Sequence, residues 1–176
     1  MSIFQDLVTK HGTPRRIESG DHILRQGDEC SDVFFIRSGI LKAYYIGADG
    51  KEHIKSFQPE GSIISSLVAL TDNEPATFSL VALEPGEIVA LPYATLLQAA
   101  ERDIGLANAL INFLSAYGRR KERREYELLC LAPEDRYTKM LMETPSLAER
   151  ISQADLAAYI GVTPQALSRI KRRIKN

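Results

Sequence analysis

The chain of 176 residues has two cysteines, no tryptophan and no long apolar run. Cys30 and Cys130 lie far apart and form no CxxC pair, so we expect free, buried thiols, as is usual in cytosolic proteins. No stretch approaches the roughly 18 consecutive apolar residues of a membrane-spanning helix. The opening segment MSIFQDLVTKHG lacks the apolar centre of a signal peptide. These absences predict a cytoplasmic protein without a membrane contact.

Signatures of catalysis and metal binding are missing too. The three histidines, His11, His22 and His53, are widely spaced, whereas a cupin-like metal site needs several converging histidines and a carboxylate. Two cysteines are too few for an iron–sulfur cluster, which usually takes four thiolates. The sequence offers no nucleophile beside a base, no glycine-rich phosphate loop and no paired carboxylates. We predict no metal, no cofactor and no enzymatic activity; haem ligation by His22 or His53 stays open, although no pattern favours it.

The net charge of −1 is small, but it is distributed unevenly along the chain. Residues 151–176 carry five basic side chains and one acidic side chain, which leaves 17 basic and 22 acidic residues in the rest of the chain. A basic segment on an acidic body indicates that this segment binds a polyanion.

Glycines recur every eleven or twelve residues in the first part of the chain, at Gly27, Gly39, Gly50 and Gly61. Runs rich in β-branched and aromatic residues lie between them (VFFIRS, ILKAYYI, HIKSF), and ATFSLVALEPGEIVALP continues the pattern to Pro92. Turn signals at this spacing are typical of an antiparallel sandwich or barrel. Asp49 and Gly50 suit the tip of a hairpin. We predict a β-roll over residues 18–92.

A helical period replaces the β pattern from Tyr93 to Leu131, a stretch without proline. Its apolar residues recur at steps of three, four and seven, as in a helix that packs along one side. We expect the β-roll to cover part of this stripe and an identical helix of a second chain to cover the rest. The basic run at 119–124 is expected to be solvated, with contact to DNA or an acidic partner as the alternative. The predicted stripe consists of Leu106, Leu110, Phe113, Tyr117, Arg124 and Leu128.

A further helix is expected from Pro133, which suits a first helical position, to Glu143, because Thr144 precedes a proline. The strongest pattern in the chain follows it. Ser152 is a candidate N-cap, with Asp155 three residues on, for a helix over residues 153–160. Gly161 can adopt the left-handed conformation that ends this helix. Thr163 and Pro164 then suit the cap and first position of a second helix.

Two short helices joined by a glycine turn form either a helix-turn-helix or a generic helical hairpin, and the side chains separate the two. Ala157 is small where the helices must cross, and Ile174 extends the apolar face of the second helix. The predicted buried positions are Leu156, Ala157, Ile160, Val162, Leu167 and Ile170. The predicted outer face consists of Gln165, Ser168, Arg169 and Arg172.

That outer face suits the major groove of duplex DNA. Glutamine can pair with adenine and arginine with guanine, each worth roughly 1–3 kcal/mol of discrimination. The Thr163 hydroxyl and the helix N-terminus can contact phosphate. Lys171, Arg173 and Lys175 would add salt-dependent attraction to the backbone. A solvated basic helix that closes a bundle is the alternative reading of the same residues.

The order of parts resembles the CRP/FNR family of bacterial transcription regulators, over nearly the whole chain. The resemblance is carried by RQGDECSDVFFIRSGILKAYYIGADGKEHIKSFQPEGSII and by ISQADLAAYIGVTPQALSRI. It implies an α+β protein with an antiparallel, jelly-roll-like β-roll in residues 1–100, a long dimerisation helix in 101–132 and a helix-turn-helix domain in 133–176. It also implies a homodimer on a two-fold symmetric DNA site, with recognition helices roughly 34 Å apart.

The sequence departs from that family in two places. Members that bind cyclic AMP carry a G-E-L stretch, and about ten residues later an R-S pair whose arginine meets the cyclic phosphate. The matching effector-pocket positions are here Ser65, Ser66, Leu67, Ala76 and Thr77, and no basic residue lies between Lys55 and Arg102. Because a buried phosphate needs a charged partner, we expect no response to cyclic AMP. The pocket then takes another small molecule, takes none, or serves as scaffold.

The second departure is length. Family members follow the recognition helix with a β-hairpin wing, and six residues after Ile170 are too few for one, so we expect the wing to be absent. Two functions remain: a dimeric DNA-binding transcription regulator, or a ligand-binding or protein-interaction module with a vestigial helix-turn-helix.

Overall fold

The computed structural model of the protein describes residues 2–175 and divides into two compact units, one up to Leu114 and one from Ser115. The first unit is built on eight strands. They are β1 (Thr13–Ile17), β2 (His22–Leu24), β3 (Asp32–Ser38), β4 (Leu41–Ile46), β5 (Glu52–Gln58), β6 (Ile63–Ile64), β7 (Ser79–Ala82) and β8 (Gly86–Pro92). They form two four-stranded sheets, in the orders β1-β8-β3-β6 and β2-β7-β4-β5, and every recorded pairing is antiparallel.

The glycine rhythm of the sequence marks the turns of this roll. Gly27, Gly39, Gly50 and Gly61 all have positive φ angles, between 76° and 96°, which glycine adopts without a steric penalty. The β4–β5 hairpin closes where predicted, since the Gly47 N–H donates to the Lys51 carbonyl at 2.9 Å. The predicted β-roll is confirmed, but it begins earlier than residue 18, because β1 pairs along β8 from Thr13.

Alternation along the strands gives the first sheet two buried faces. Phe34, Ile36 and Ile88 point into the core between the sheets. Val33, Val89 and Leu91 point the other way, into a second apolar cluster with residues of three helices. These helices are α1 (Ser2–His11), α3 (Tyr93–Arg102) and the start of α4 (Ile104–Cys130). A short helix, α2 (Leu67–Asp72), follows β6. The sequence pattern predicted neither α1 nor α2.

The predicted continuous helix from Tyr93 is broken once, at Asp103. Its backbone is extended, and its Oδ1 accepts hydrogen bonds from the N–H groups of Gly105 at 2.8 Å and Leu106 at 3.2 Å. A carboxylate that caps the first turn in this way starts a new helix. The break therefore depends on a side-chain cap and needs neither proline nor glycine.

The second unit contains the end of α4 and four further helices: α5 (Pro133–Glu143), α6 (Pro145–Arg150), α7 (Gln153–Ile160) and α8 (Pro164–Lys175). Helix α5 ends at Glu143 as predicted, while α6 was not predicted. The mixed fold with antiparallel sheets, a long helix and C-terminal helices confirms the predicted α+β class.

Both cysteines are free, but the expectation that they are buried is wrong. Cys130, the last residue of α4, is exposed, as is Leu129 beside it. Cys30 is partly buried, with its Sγ 3.6 Å from the Ser65 hydroxyl.

Candidate nucleic-acid interface

Helices α7 and α8 are joined by the turn that the sequence predicted. The Ser152 hydroxyl caps α7 by accepting from the Asp155 N–H at 3.0 Å, and it donates to the Asp155 carboxylate at 2.7 Å. Gly161 lies in the left-handed region (φ 76°), and its N–H donates to the Ala158 carbonyl at 3.1 Å. The next N–H, of Val162, donates to the Ala157 carbonyl at 2.9 Å. This pair of bonds is the Schellman arrangement, which ends a helix in a fixed direction.

The second helix starts on its own cap and lies across the first. The Thr163 hydroxyl accepts from the Ala166 N–H at 3.2 Å, and Pro164 occupies the first helical position. Ala157 is fully buried, as a close crossing requires. Five of the predicted buried residues are buried, Val162 is half-buried, and Ile174 is 44% exposed, so the predicted apolar face ends one turn early. The buried five are Leu156, Ala157, Ile160, Leu167 and Ile170.

The opposite face of α8 is open to solvent over the residues predicted to read DNA. Gln165, Ser168, Arg169 and Arg172 are all exposed, and so is Thr163 at the start of the helix. The helical period places these four side chains of α8 on one side, away from Leu167 and Ile170. Their contact with DNA stays a prediction.

Lys171 and Arg173, two further basic residues of α8, contact the protein itself. The Lys171 ammonium contacts the Gln153 side-chain oxygen and lies 5.7 Å from the centre of the Tyr137 ring. Arg173 forms an ion pair with Glu134 at 2.7 Å. The Lys175 side chain lies outside the described residues. Lys171 thus sits on the flank of α8 rather than on its outer face.

Two arginines link the helices of this unit: Arg136, which the sequence analysis did not single out, and Arg124, which it placed in the α4 stripe and in a basic run expected to be solvated. The Arg136 side chain donates through Nε to the Ile160 carbonyl at 2.8 Å and through Nη1 to the Leu131 carbonyl at 2.7 Å. It therefore joins the end of α7 to the end of α4, where helix carbonyls lack intrahelical partners and favour a cation.

The second arginine is Arg124 of α4. Its guanidinium lies 3.8 Å from the centre of the Tyr159 ring and donates to the Tyr159 carbonyl. Burial lowers the pKa of Arg124, and burial raises the pKa of Tyr159. One sequence feature indicated that Arg124 is not an ordinary surface residue: it occupies a position of the predicted stripe whose other members are apolar or aromatic.

The predicted stripe is covered at its start, as expected, and is exposed at Leu128. Leu106 is buried in the first unit's second cluster, and Leu110 packs against that cluster. A second row, at alternating steps of three and four, combines four exposed apolar residues (Ile104, Ile111, Leu114 and Leu128) with small and charged ones. We call this row the α4 seam; it consists of Ile104, Ala107, Ile111, Leu114, Gly118, Lys121, Glu125 and Leu128.

Three of the predicted effector-pocket residues, Ser65, Ser66 and Ala76, form hydrogen bonds with backbone groups. The Ser65 hydroxyl donates to the Asp32 carbonyl at 2.6 Å, and the Ser66 hydroxyl caps α2 by accepting from the Ala69 N–H at 3.4 Å. Ala76 is buried and exchanges backbone hydrogen bonds with the turn at Gly27 and Asp28, both at 2.8 Å. Leu67 and Thr77 are exposed. None of these five side chains carries a charge.

Within residues 2–175, no three histidine, cysteine or carboxylate side chains gather where they could hold a metal ion. In the same part of the chain, no helix is both long and apolar enough to cross a membrane.

Known proteins share the architecture described above. The sequence model of the cyclic nucleotide-binding domain family matches residues 14–103, which contain both sheets, so the chain belongs to that family. Among curated relatives, the transcriptional activator protein anr of Pseudomonas aeruginosa is 26% identical over 97% of this chain and 72% of its own length. The fumarate and nitrate reduction regulatory protein of Escherichia coli is 24% identical over 90% of this chain and 67% of its own length. The predicted resemblance to the CRP/FNR transcription regulators is confirmed.

Solved structures agree with this fold. FixK2 from Bradyrhizobium japonicum superposes with a TM-score of 0.82, at 19% identity, over 93% of this chain and 84% of that one. The catabolite activator protein of Thermus thermophilus superposes with a TM-score of 0.62, at 22% identity, over 99% and 84%. At these identities the likeness concerns the fold alone.

Proposed function

We propose that the protein is a homodimeric, DNA-binding transcription regulator of the CRP/FNR type, without enzymatic activity, which acts in the cytoplasm. One observation carries the DNA-binding part. Gln165, Ser168, Arg169 and Arg172 are exposed together on one face of α8, while the opposite face is buried. A helix that is anchored by a buried apolar face and exposes hydrogen-bonding side chains on the opposite face is the element that enters a major groove.

The chemistry of this face fits base edges and phosphates. Arg169 and Arg172 can each donate two parallel hydrogen bonds to guanine, and Gln165 can pair with adenine. The exposed Thr163 and the N-terminus of α8 suit a phosphate oxygen. Residues 115–176 contain 13 basic and 8 acidic side chains, so the attraction to DNA is electrostatic as well.

The homodimer is supported by the α4 seam. Ile104 is 78% exposed and Ile111 is 59% exposed, and both lie on the side of α4 opposite to the buried Leu106. A row of large apolar residues on a long helix favours pairing with a second helix of the same kind. A dimer places two α8 helices on a two-fold symmetric site, roughly 34 Å apart.

We also propose that cyclic AMP is not the effector. Residues 56–101 contain no lysine, arginine or histidine. Lys55, which precedes them, lies with its Nζ 3.8 Å from the centre of the Phe78 ring. A buried cyclic phosphate would therefore lack the arginine that other family members provide. Isothermal titration calorimetry of the full chain with cyclic AMP tests this, and saturable binding would contradict it.

Selection from a random duplex DNA pool tests the main proposal. The wild-type chain should enrich a two-fold symmetric sequence. Arg169→Ala should lose the preference at one base pair of each half-site and weaken binding to that sequence about tenfold or more, as the loss of one bidentate base contact does. Arg173→Ala, on the flank of the same helix, should weaken all sequences alike.

Two results would contradict the proposal. An unchanged preference in Arg169→Ala would remove that residue from base recognition. A wild-type chain that enriches no sequence would instead favour the module with a vestigial helix-turn-helix.

A further inference from the structure

One basic residue of α8 is paired with a carboxylate of another helix. Arg173 lies one helical turn after Arg169, so it borders the outer face of α8. Its Nη2 lies 2.7 Å from Oε1 of Glu134, which belongs to the first turn of α5. The two side chains are 67% and 36% exposed, so solutes can reach the pair. The ion pair therefore places a negative charge at the edge of the surface that we assign to DNA.

The position of α8 depends on other contacts. Leu167 and Ile170 are buried on the opposite side of the helix, and Thr163 caps its first turn. An exposed ion pair contributes little to stability, because water screens both charges and two long side chains must be ordered. The larger effect of the pair concerns binding. A guanidinium that already donates to a carboxylate must give up that partner before it donates to a phosphate.

We propose that Glu134 competes with DNA phosphate for Arg173, as an autoinhibitory contact that weakens binding to DNA of every sequence. This inference rests on the proposed function and adds a residue that lowers its affinity. Carboxylate and phosphate oxygens accept the same charge-assisted hydrogen bond from a guanidinium. When DNA binds, Arg173 exchanges Glu134 for a phosphate, and water solvates the carboxylate that it leaves. Because phosphate contacts carry no sequence information, the cost is the same for an operator and for unrelated DNA.

General repulsion between an acidic residue and DNA has to be separated from this competition. A carboxylate near DNA repels the phosphates whether or not it pairs with Arg173. Asp135 provides the matched control, because it is exposed and follows Glu134 in the same turn of α5. Asp135→Asn and Glu134→Gln remove the same charge from the positive end of the same helix. Glu134→Gln additionally removes the ion-pair partner of Arg173.

Fluorescence anisotropy titrations of the full chain measure the expected gain in affinity. Two labelled duplexes of equal length serve as probes: the sequence enriched from the random pool and an unrelated sequence. Glu134→Gln should bind both duplexes about threefold more tightly than wild type, a factor typical of an exposed ion pair. Glu134→Ala removes the acceptor altogether and should give a similar gain, so the result does not depend on the folding of one variant. Asp135→Asn should give a smaller gain.

A double-variant cycle decides between competition and repulsion. In a chain that also carries Arg173→Ala, Glu134→Gln should give no larger gain than Asp135→Asn does, because the cation for which Glu134 competes is absent. An equal gain with and without Arg173 would overturn the inference. Unchanged affinity in both Glu134→Gln and Glu134→Ala would overturn it as well.

The wild-type titration separates this inference from the proposal on which it rests. A wild-type chain that binds neither duplex would disprove DNA binding and, with it, the role of Glu134. A wild-type chain that binds its enriched sequence, but whose Glu134 variants gain nothing, would leave DNA binding standing and reject only the competition for Arg173.

Discussion

The two units of the molecule stabilise themselves by different means. The first packs two apolar layers, and its fully buried polar side chains, among the described residues, are the hydroxyls of Ser66 and Ser79, each of which accepts from a backbone N–H. The second has a smaller apolar core, and its helices also meet through Arg124 with Tyr159, Glu127 with Lys139, and Arg136 with the ends of α4 and α7. The side chains of Arg124 and Glu127 are 14% and 15% exposed.

The difference follows from the size and shape of the units. Two sheets with helices on one side provide long alternating faces, so apolar residues alone can define the first unit. About sixty residues bury a smaller fraction of their surface, so the second unit depends more on hydrogen bonds and charges. Such contacts are directional, and they fix where the end of α7 lies. The orientation of the adjacent α8 depends on them.

The largest expected effect lies in the apolar unit. Leu80 is fully buried between the sheets, so Leu80→Ala should lower the free energy of unfolding by about 3 kcal/mol through lost contacts and a cavity. Urea unfolding gives the loss, and hydrogen exchange should locate it in β4 and β7. Leu97→Ala on the exposed side of α3 is the matched control and should cost less than about 1 kcal/mol. Equal losses would contradict the picture of a core held by apolar packing.

The next effect tests the charged contacts of the second unit. Arg136→Ala removes donors from the carbonyls of Ile160 and Leu131, and should cost about 2 kcal/mol, as expected for hydrogen bonds from a charged group. Arg136→Lys keeps the charge, but a single ammonium cannot span both helix ends, so it should recover only part of this loss. Hydrogen exchange should report the change near the ends of α4 and α7. Full recovery by lysine would show that charge alone suffices there.

The comparison also explains what the sequence could predict. The turn glycines and the caps of α7 and α8 were predictable, because a left-handed φ or an unpaired N–H restricts the residue type locally. The stripe on α4 is covered at its start, as expected, while its cover by a second chain stays a prediction. Leu106, which faces the protein's own core, and Ile111, which is exposed, are equally apolar, and only the packing of the first unit separates them.

The roles of charged residues were harder to predict for the same reason. Arginines such as Arg124 and Arg136 usually lie on the solvated surface of a helix. Their partners here are backbone carbonyls, which every residue has, so no residue type in the sequence marks these contacts. Lys171 was expected to add attraction to the DNA backbone; it contacts Gln153 and lies near Tyr137, and its contribution to DNA binding stays a prediction. The four residues of the outer face were chosen by helical period alone, and they are exposed as that period requires.

The smallest expected effect concerns alkaline pH and the second unit. Burial raises the pKa of Tyr159 above its ordinary value of 10.0, so the unfolded chain loses this proton first as the pH rises. The folded state then binds more protons than the unfolded state, and stability should fall as the pH rises above about 10, with no effect from this group at lower pH. Lys139 acts in the same direction, because its hydrogen bond to Glu127 raises the pKa of its ammonium above 10.5.

Tyr159→Phe keeps the ring beside Arg124 but removes the phenol hydroxyl. Urea unfolding between pH 8 and pH 11 should therefore show that the stability of this variant declines less steeply than that of the wild type. Tyr126→Phe, which removes an exposed phenol from α4, is the matched control and should leave the wild-type profile unchanged. If the profiles of Tyr159→Phe and wild type ran parallel, the phenol of Tyr159 would not be buried in the folded protein, and its place beside Arg124 would have to be revised.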